Sequence, residues 1–362
     1  MTMNLNSILL FLAIICTSLI TNALEHPGGM HPKAQIAFVK AQIQSQRQPY
    51  YDAYRQLIAY ADSALVHPNH ALADFSVPGY YVNAEMHRKN SKSLNSDSFD
   101  AYACALAYQL SGQAKYADKS RSILKSWAEL NTQYSEADGS LVMAYAGSGM
   151  VMAGELLMPY KGWKDDEQMM FKKWVKGVYL KACNEIRNRK NNWADWGRFG
   201  SILSAYFLED SAEIAENIRL IKSDLFHKIA PDGSMPEETR RGANGIWYTY
   251  FSLAPITAAC WVAYNATGEN LFFLSQDNRS LKNALDYLYY YNLNPKEWKW
   301  FENPRPGSPE NWPGLLLASM ADIYQDSRYT TYVTAVQPII NTTHHFAWVF
   351  PTLMKVQLNE YK

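Results

Sequence analysis

Residues Ser234–Pro255 read SMPEETRRGANGIWYTYFSLAP. Asp232-Gly233 makes a turn ahead of them, and Ser234 with Glu237 three residues later fits a capping box at a helix start. Pro236 sits just inside that start, where a missing N–H costs little. A helix continued from here places Arg241, Gly245 and Tyr248 on one face, at i, i+4 and i+7. That face carries a cation, a gap without a side chain and a phenol. A core face would be apolar, so this one is built to meet something polar. The plainer alternative is a salt-bridged Arg beside a half-buried Tyr.

Upstream, Arg187–Trp196 reads RNRKNNWADW. Two adjacent amides, Asn191 and Asn192, precede Trp193 and Trp196, and an amphipathic helical run follows. Asn192 and Trp196 are spaced i, i+4, and an amide beside an indole face is a common grip for a sugar. The alternative is an Asn turn with two core tryptophans.

Together the two stretches resemble alginate lyases of the helical-toroid type. That family pairs an Asn-Asn-His-x-x-Trp segment with a Pro-x-Glu-x-x-Arg segment some fifty residues on, and a Tyr seven residues after the Arg. Here these are Asn191-Asn192-Trp193-Ala194-Asp195-Trp196 and Pro236-Glu237-Glu238-Thr239-Arg240-Arg241, with Tyr248 at the matching distance. The helix–Gly–helix unit Leu110–Ala128, LSGQAKYADKSRSILKSWA, is similar to the same group and reads as scaffold. The resemblance runs from about His26 to about Tyr264. One departure is plain: Trp193 stands where the family has His.

The resemblance implies a polysaccharide lyase acting on an acidic polysaccharide by β-elimination, without metal or other cofactor. It implies catalytic roles for Asn192, Arg241 and Tyr248. Asn192 would hydrogen-bond the uronate carboxylate, Arg241 would hold it or stabilise the phenolate, and Tyr248 would be base and acid in turn. A phenol of pKa about 10 must come down by about two to three units to serve, roughly 3–4 kcal/mol of phenolate stabilisation. Arg241 is the expected source, with Glu238 three residues before it orienting the guanidinium. Trp193, Trp196, Arg240, Glu238, His87 and Arg88 complete the expected substrate contacts. His87 is the histidine with a route to the site and one candidate to replace the missing imidazole. A single Tyr on one sugar face suits syn elimination, which favours polymannuronate or a β-glucuronan.

Composition bounds the rest. The 362 residues are 48% apolar, enough for a large core, and carry no formal net charge. No global field steers a polyanion, nucleic acid is not an expected partner, and an acidic substrate must be met by a local cluster. The 25 Tyr and 11 Trp suit carbohydrate platforms as well as helical cores. Residues 1–23 read as a secretory signal: an apolar run from Ile8 to Ile20, too short for a comfortable span, ends at Thr21-Asn22-Ala23. The mature chain is then expected in the periplasm or medium, as a monomer without stable membrane insertion. Cys104, Cys183 and Cys260 lie in apolar helical patterns and read as buried thiols.

Along the chain, a helix is expected from about Lys33, then a long polar loop over 67–99 with the basic run His87-Arg88-Lys89. Buried and amphipathic helices are expected at 101–110 and from Tyr116 to Trp127, ending and restarting at Ser111-Gly112. More follow at 151–157, 168–186, 198–208, 212–229, 253–264 and 281–288, and a final one at 312–324. Residues 292–312, NLNPKEWKWFENPRPGSPENW, read as an ordered loop over a cleft. Hairpin-type alternation is nearly absent. The expected fold is all-α, an incomplete (α/α) toroid of serial helical hairpins in a single domain over residues 24–362. The histidines at 26, 31, 344 and 345 lack metal-ligand spacing. Asn265, Asn278 and Asn341 head sequons.

Two other classes fit parts of the sequence. A glycoside hydrolase on the same ring would need two carboxylates across the cleft, such as Asp195 with Glu237 or Glu238. A non-catalytic uronate-oligosaccharide-binding protein would use Trp193 and the aromatic content without turnover.

Overall fold

The computed structural model describes residues 24–340 and 346–361. The signal-peptide reading, His344-His345 and the Asn341 sequon lie outside the described residues. Helices account for the architecture: α1 (Lys33–Gln44), α2 (Tyr50–Ala64), α3 (Ala84–Ser111), α4 (Ala114–Leu130), α5 (Gly139–Leu157), α6 (Asp165–Trp174), α7 (Leu180–Ile186), α8 (Asn192–Phe207) and α9 (Ser211–Lys228). Beyond them come α10 (Pro236–Thr239), α11 (Gly245–Thr267), α12 (Leu281–Leu293), α13 (Trp312–Tyr324) and α14 (Ser327–Thr334). A π-helical turn, Val175–Tyr179, joins α6 to α7.

An incomplete (α/α) toroid in one domain results. Four helices, α3, α5, α8 and α11, pack in sequence order as the inner layer, and α2, α4, α7, α9 and α12 lie on their outer sides. The layering follows from composition. Every residue of α5, GSLVMAYAGSGMVMAGELL, is buried, as helices apolar all round must be. It is apolar and long enough to cross a membrane, yet it is the core of the ring. The outer α4 is amphipathic instead, burying Tyr116, Ile123, Leu124 and Trp127. Gly112 and Gly268 end α3 and α11 in the left-handed conformation that glycine adopts without strain. One core cluster runs from Met30 to Val356, with Cys104, Cys183 and Cys260 in it as free thiols.

Several boundaries differ from expectation. The segment 67–99 is not one loop: β1 (Asp74–Ser76) pairs in parallel with β2 (Gln133–Ser135), and α3 begins at Ala84, capped by Asn83, whose side chain accepts from Met86 N–H (3.0 Å). Polar residues over the first half of α3 hide its helical character because they face a cleft. α8 begins at Asn192 and α11 at Gly245, both well before their apolar runs. α14 follows the expected last helix.

The opening stretch is broken, not continuous. α10 is a single turn, Gly242 takes φ +61°, and a 3₁₀ turn (Gly242–Asn244) precedes α11. Ser234 bonds Asp232, and Met235 occupies the N-cap without a side-chain cap, so the capping box does not form. Gly245 is not a gap in a polar face. A Cβ there would stand 2.6 Å from the Thr239 carbonyl oxygen and 2.8 Å from Trp298, so glycine permits this close approach.

Candidate active site

The inner helices and the 67–83 segment enclose a cleft of about 1330 Å³. Asn192, Trp193, Arg241 and Tyr248 all line it, with His87 and Arg88 on the α3 side. The two sequence segments therefore meet at one site. Residues 292–312 also reach it, through Arg305, Pro306 and Trp312, and Arg305 N–H donates to the Ala243 carbonyl (2.8 Å).

Tyr248 sits on the first turn of α11, half-buried, with its ring edge-on to Trp247 (4.8 Å between centroids). The Arg241 guanidinium lies over the Tyr248 ring, 4.4 Å from the centroid. The Tyr248 hydroxyl shares a hydrogen bond with the Tyr81 hydroxyl (2.6 Å), and Arg241 Nη2 donates weakly to Tyr81 (3.4 Å). Burial raises the Tyr248 phenol above its ordinary value, the Tyr81 hydrogen bond adds to this, and Arg241 opposes both. The expected depressed phenol is thus overturned for the free site: Arg241 acts in the expected direction and is outweighed. Tyr81, 71% exposed, is a partner that sequence reasoning passed over within the polar segment. Trp247, one residue before Tyr248, was also passed over.

Asn192 is the first residue of α8, whose leading N–H groups lack helical partners. Glu238 serves the first of these and the side chain as well: Oε1 accepts from the Asn192 backbone N–H (2.7 Å) and Oε2 from its side-chain Nδ2 (2.7 Å). Glu238 is therefore not the group that orients Arg241. It fixes the amide of Asn192; both residues are buried at 1% exposure, but Asn192 lines the cleft and Glu238 does not. Burial pushes its carboxyl up to about 7; the Asn192 bonds act against this and nearby Asp195 adds to it. Asp195 is buried too, bound to Lys228 Nζ (2.7 Å) and to the Ser252 hydroxyl.

Three other expected contacts move. Trp196 is fully buried, packed on Tyr145 and Phe251, and is core and not platform. Arg240 is exposed outside the cleft lining and pairs with Glu237. With Asp195 and Glu238 buried and Glu237 so paired, the couple expected for a hydrolase, Asp195 with Glu237 or Glu238, does not line the cleft. Trp193 remains half-buried on the cleft wall, under the guanidinium of Arg189 (3.8 Å). His87 donates from Nδ1 to the Pro78 carbonyl (3.0 Å) and faces Asp138 (3.2 Å). It is not the sole histidine here: His67 and His70 line the same cleft.

Charge follows the same wall. Five cations line the cleft, Arg88, Lys92, Arg189, Arg241 and Arg305, against two carboxylates, Asp100 and Asp138. Each carboxylate already faces a histidine Nδ1, His67 and His87 respectively. A chain of zero net charge thus concentrates positive charge where an acidic polymer would lie.

The helical ring with its cleft of Tyr, Arg, Asn and Trp has the architecture of the toroid-type polysaccharide lyases. An alginate lyase from Bacteroides ovatus superposes with TM-score 0.74 at 19% identity, covering 88% of this chain and 98% of its own. Alginate lyase A1-III from Sphingomonas species A1 gives 0.73 at 14% identity, covering 92% and 99%. A Tyr→Phe variant of alginate lyase A1-III, complexed with a tetrasaccharide, gives 0.74 at 16%, covering 92% and 99%. No curated protein matches the sequence. The alginate lyase family itself matches over residues 39–298, past Tyr264 where the motifs fade. The chain belongs to the alginate lyase family and is a polysaccharide lyase.

Proposed function

We propose that this enzyme cleaves a β-1,4-linked polyuronate, polymannuronate or glucuronan, by β-elimination. The observation that carries the reading is Arg241 over the Tyr248 ring at 4.4 Å, beside Asn192, in a cleft with an excess of cations. Arg241 and Asn192 offset the C6 carboxylate as charge develops at C5. The Tyr248 phenolate takes the C5 proton, the C4–O4 bond breaks, and the new phenol gives that proton to the departing O4. One product carries a C4=C5 double bond and the other a free hydroxyl. One Tyr serving both steps suits substrates whose H5 and O4 share a face. His87, held through Nδ1 and packed edge to face with Tyr80, assists at the carboxylate in place of the imidazole absent at Trp193. Export to the periplasm or medium, where such a polymer is met, and action as a monomer belong to the same proposal.

Incubation with polymannuronate, polyguluronate and glucuronan, followed by ultraviolet absorbance, tests it. Absorbance should rise with the first or third polymer and not with the Tyr248→Phe variant. New reducing ends without ultraviolet absorbance would point to hydrolysis, and binding without either to a non-catalytic role.

A further inference from the structure

The cleft extends well past Tyr248. Its α3 wall runs from Arg88 through Lys92 and Asn95 to Phe99, residues three or four apart on one helix face, and ends at the adjoining Asp100. At a rise of about 1.5 Å per residue this stripe is roughly 18 Å long. Arg88 stands at the Tyr80 ring (5.9 Å), beside Tyr81 and hence Tyr248. The other end holds two histidines that the elimination chemistry leaves unused.

His67 donates from Nδ1 to Asp100 Oδ2 (2.9 Å), while Tyr60 donates to Asp100 Oδ1 (2.6 Å). His70 donates from Nδ1 to Asp97 Oδ1 (2.7 Å); Asp97 Oδ2 also takes the His70 backbone N–H (2.6 Å) and the Trp127 indole N–H (2.8 Å). Both carboxylates are buried, at 3% and 0% side-chain exposure, and both imidazoles are 42% exposed. A carboxylate only accepts, so Nδ1 carries the proton in each ring and Nε2 is the outward atom. Neither Nε2 has a hydrogen-bond partner among the described residues. Two buried acids therefore hold two imidazoles with their working edges turned to the cleft. Tyr60, half-buried beside them and backed edge to face by the buried Phe99 (4.6 Å), is the aromatic side chain available to a sugar ring there.

We infer that His67 and His70 form a remote subsite for a uronate unit of the polymer, several sugars from the bond that breaks. This rests on the polyuronate-lyase reading of the cleft. With Nδ1 holding its hydrogen against the carboxylate, each Nε2 accepts a hydroxyl of the uronate unit. Lys92, between the two ends, adds a cation on the path. The subsite sets how strongly the enzyme prefers long chains.

The test compares the unaltered enzyme with the His67→Gln/His70→Gln double variant on purified oligouronates from trimer upward. Turnover by the unaltered enzyme reports on the lyase reading; the variant-to-parent ratio against length reports on the subsite. kcat/KM should fall about tenfold on long oligomers, the effect of one or two polar contacts, with trimers unchanged. A ratio independent of length, or no loss on long chains, overturns the inference. Should the double variant fail to fold, imidazole NMR of the Tyr248→Phe protein decides. The His67 and His70 signals should move with long oligomers and not with trimers; no movement with either overturns it.

Discussion

Replacing Glu238 by Gln probes the site through a residue that touches no substrate. Its two oxygens accept both hydrogen bonds from Asn192, so the amide must present its NH₂ group inward. A Gln offers one oxygen and one NH₂. With the backbone N–H of Asn192 still served, donor faces donor at the side chain, and the Asn192 amide must turn. Nδ2 carries a second hydrogen beyond the one given to Glu238, and this is the donor that Asn192 offers the uronate; when the amide turns, an oxygen lone pair stands in its place. The expected loss is about 10²-fold in kcat, the low end for removing one preorganised donor, with KM little changed.

The same substitution has a thermodynamic signature. The folded carboxyl lies at about 7 against an ordinary 4.5, a rise caused first by burial. A raised pKa stabilises the folded protein fully below the unfolded value, and that contribution is lost as pH climbs through the folded one. Between about pH 4.5 and 7 ionisation of Glu238 thus removes roughly 3 kcal/mol. The Gln variant cannot ionise, so its Tm should fall less than the parent's across that window. Thermal unfolding at a series of pH values reads this, and ultraviolet absorbance reads kcat. Parental kcat together with a parental Tm slope would refute both the pairing and its role.

Tyr248→Phe keeps the ring and should lower activity at least about 10²-fold with little stability change; near-normal turnover excludes Tyr248 as acid/base. Because Tyr248 is raised by burial and by Tyr81, the pH–rate profile should climb on the alkaline side of neutrality, and Tyr81→Phe should move that limb to lower pH. An unmoved limb would show that Tyr81 does not tune the phenol. Glu155→Gln should cost about 3 kcal/mol, because the buried Glu155 holds His26 Nδ1 (2.5 Å) and the Gly29 N–H (2.6 Å). Burial opposes the His26 charge, but Glu155 and Glu209 raise its pKa, so this loss should be largest below pH 6.5 and shrink as pH rises through the folded value; a pH-independent loss refutes the ion pair.

The fold was legible where burial governs sequence. The apolar stretches within α5 and α11 and the amphipathic α4 announce themselves, and Ser111-Gly112 marks the turn it makes. It was less legible wherever a helix lines the cleft, because a polar wall erases the apolar period that identifies a helix. The first half of α3 therefore carries no helical period in sequence, and neither does the adjoining segment that holds Tyr81. The family motifs point to Asn192, Arg241 and Tyr248, which the fold brings to one cleft, but spacing misassigns their supports. Glu238 seemed tied to Arg241 by i, i+3 spacing, a rule that needs a continuous helix, and the chain breaks at Gly242 between α10 and α11. The true partner, 46 residues away, is a tertiary contact with no local signal. Spacing makes Trp196 a platform because it gives a side chain's neighbours on its own helix, not Tyr145 and Phe251 on the helices packed over it.

Trp193 is the point where family motif and chain part, and its surroundings bear on how that is tolerated. An indole neither titrates near neutrality nor carries charge. Arg189 lies 3.8 Å from its ring centre and lines the cleft beside it. Such a stack contributes about 0.5–1 kcal/mol at an exposed site, enough to bias where the guanidinium rests. The cationic character that a protonated imidazole would give is therefore kept at this wall, now carried by a group charged at every working pH. Trp193→His puts this to the test with the fold checked by circular dichroism. If the indole serves by holding Arg189, the His variant should lose affinity for the polymer, seen as a raised KM with kcat kept. A variant with parental KM would leave Trp193 as filler, and one with raised kcat would show that the site still has room for the imidazole's chemistry.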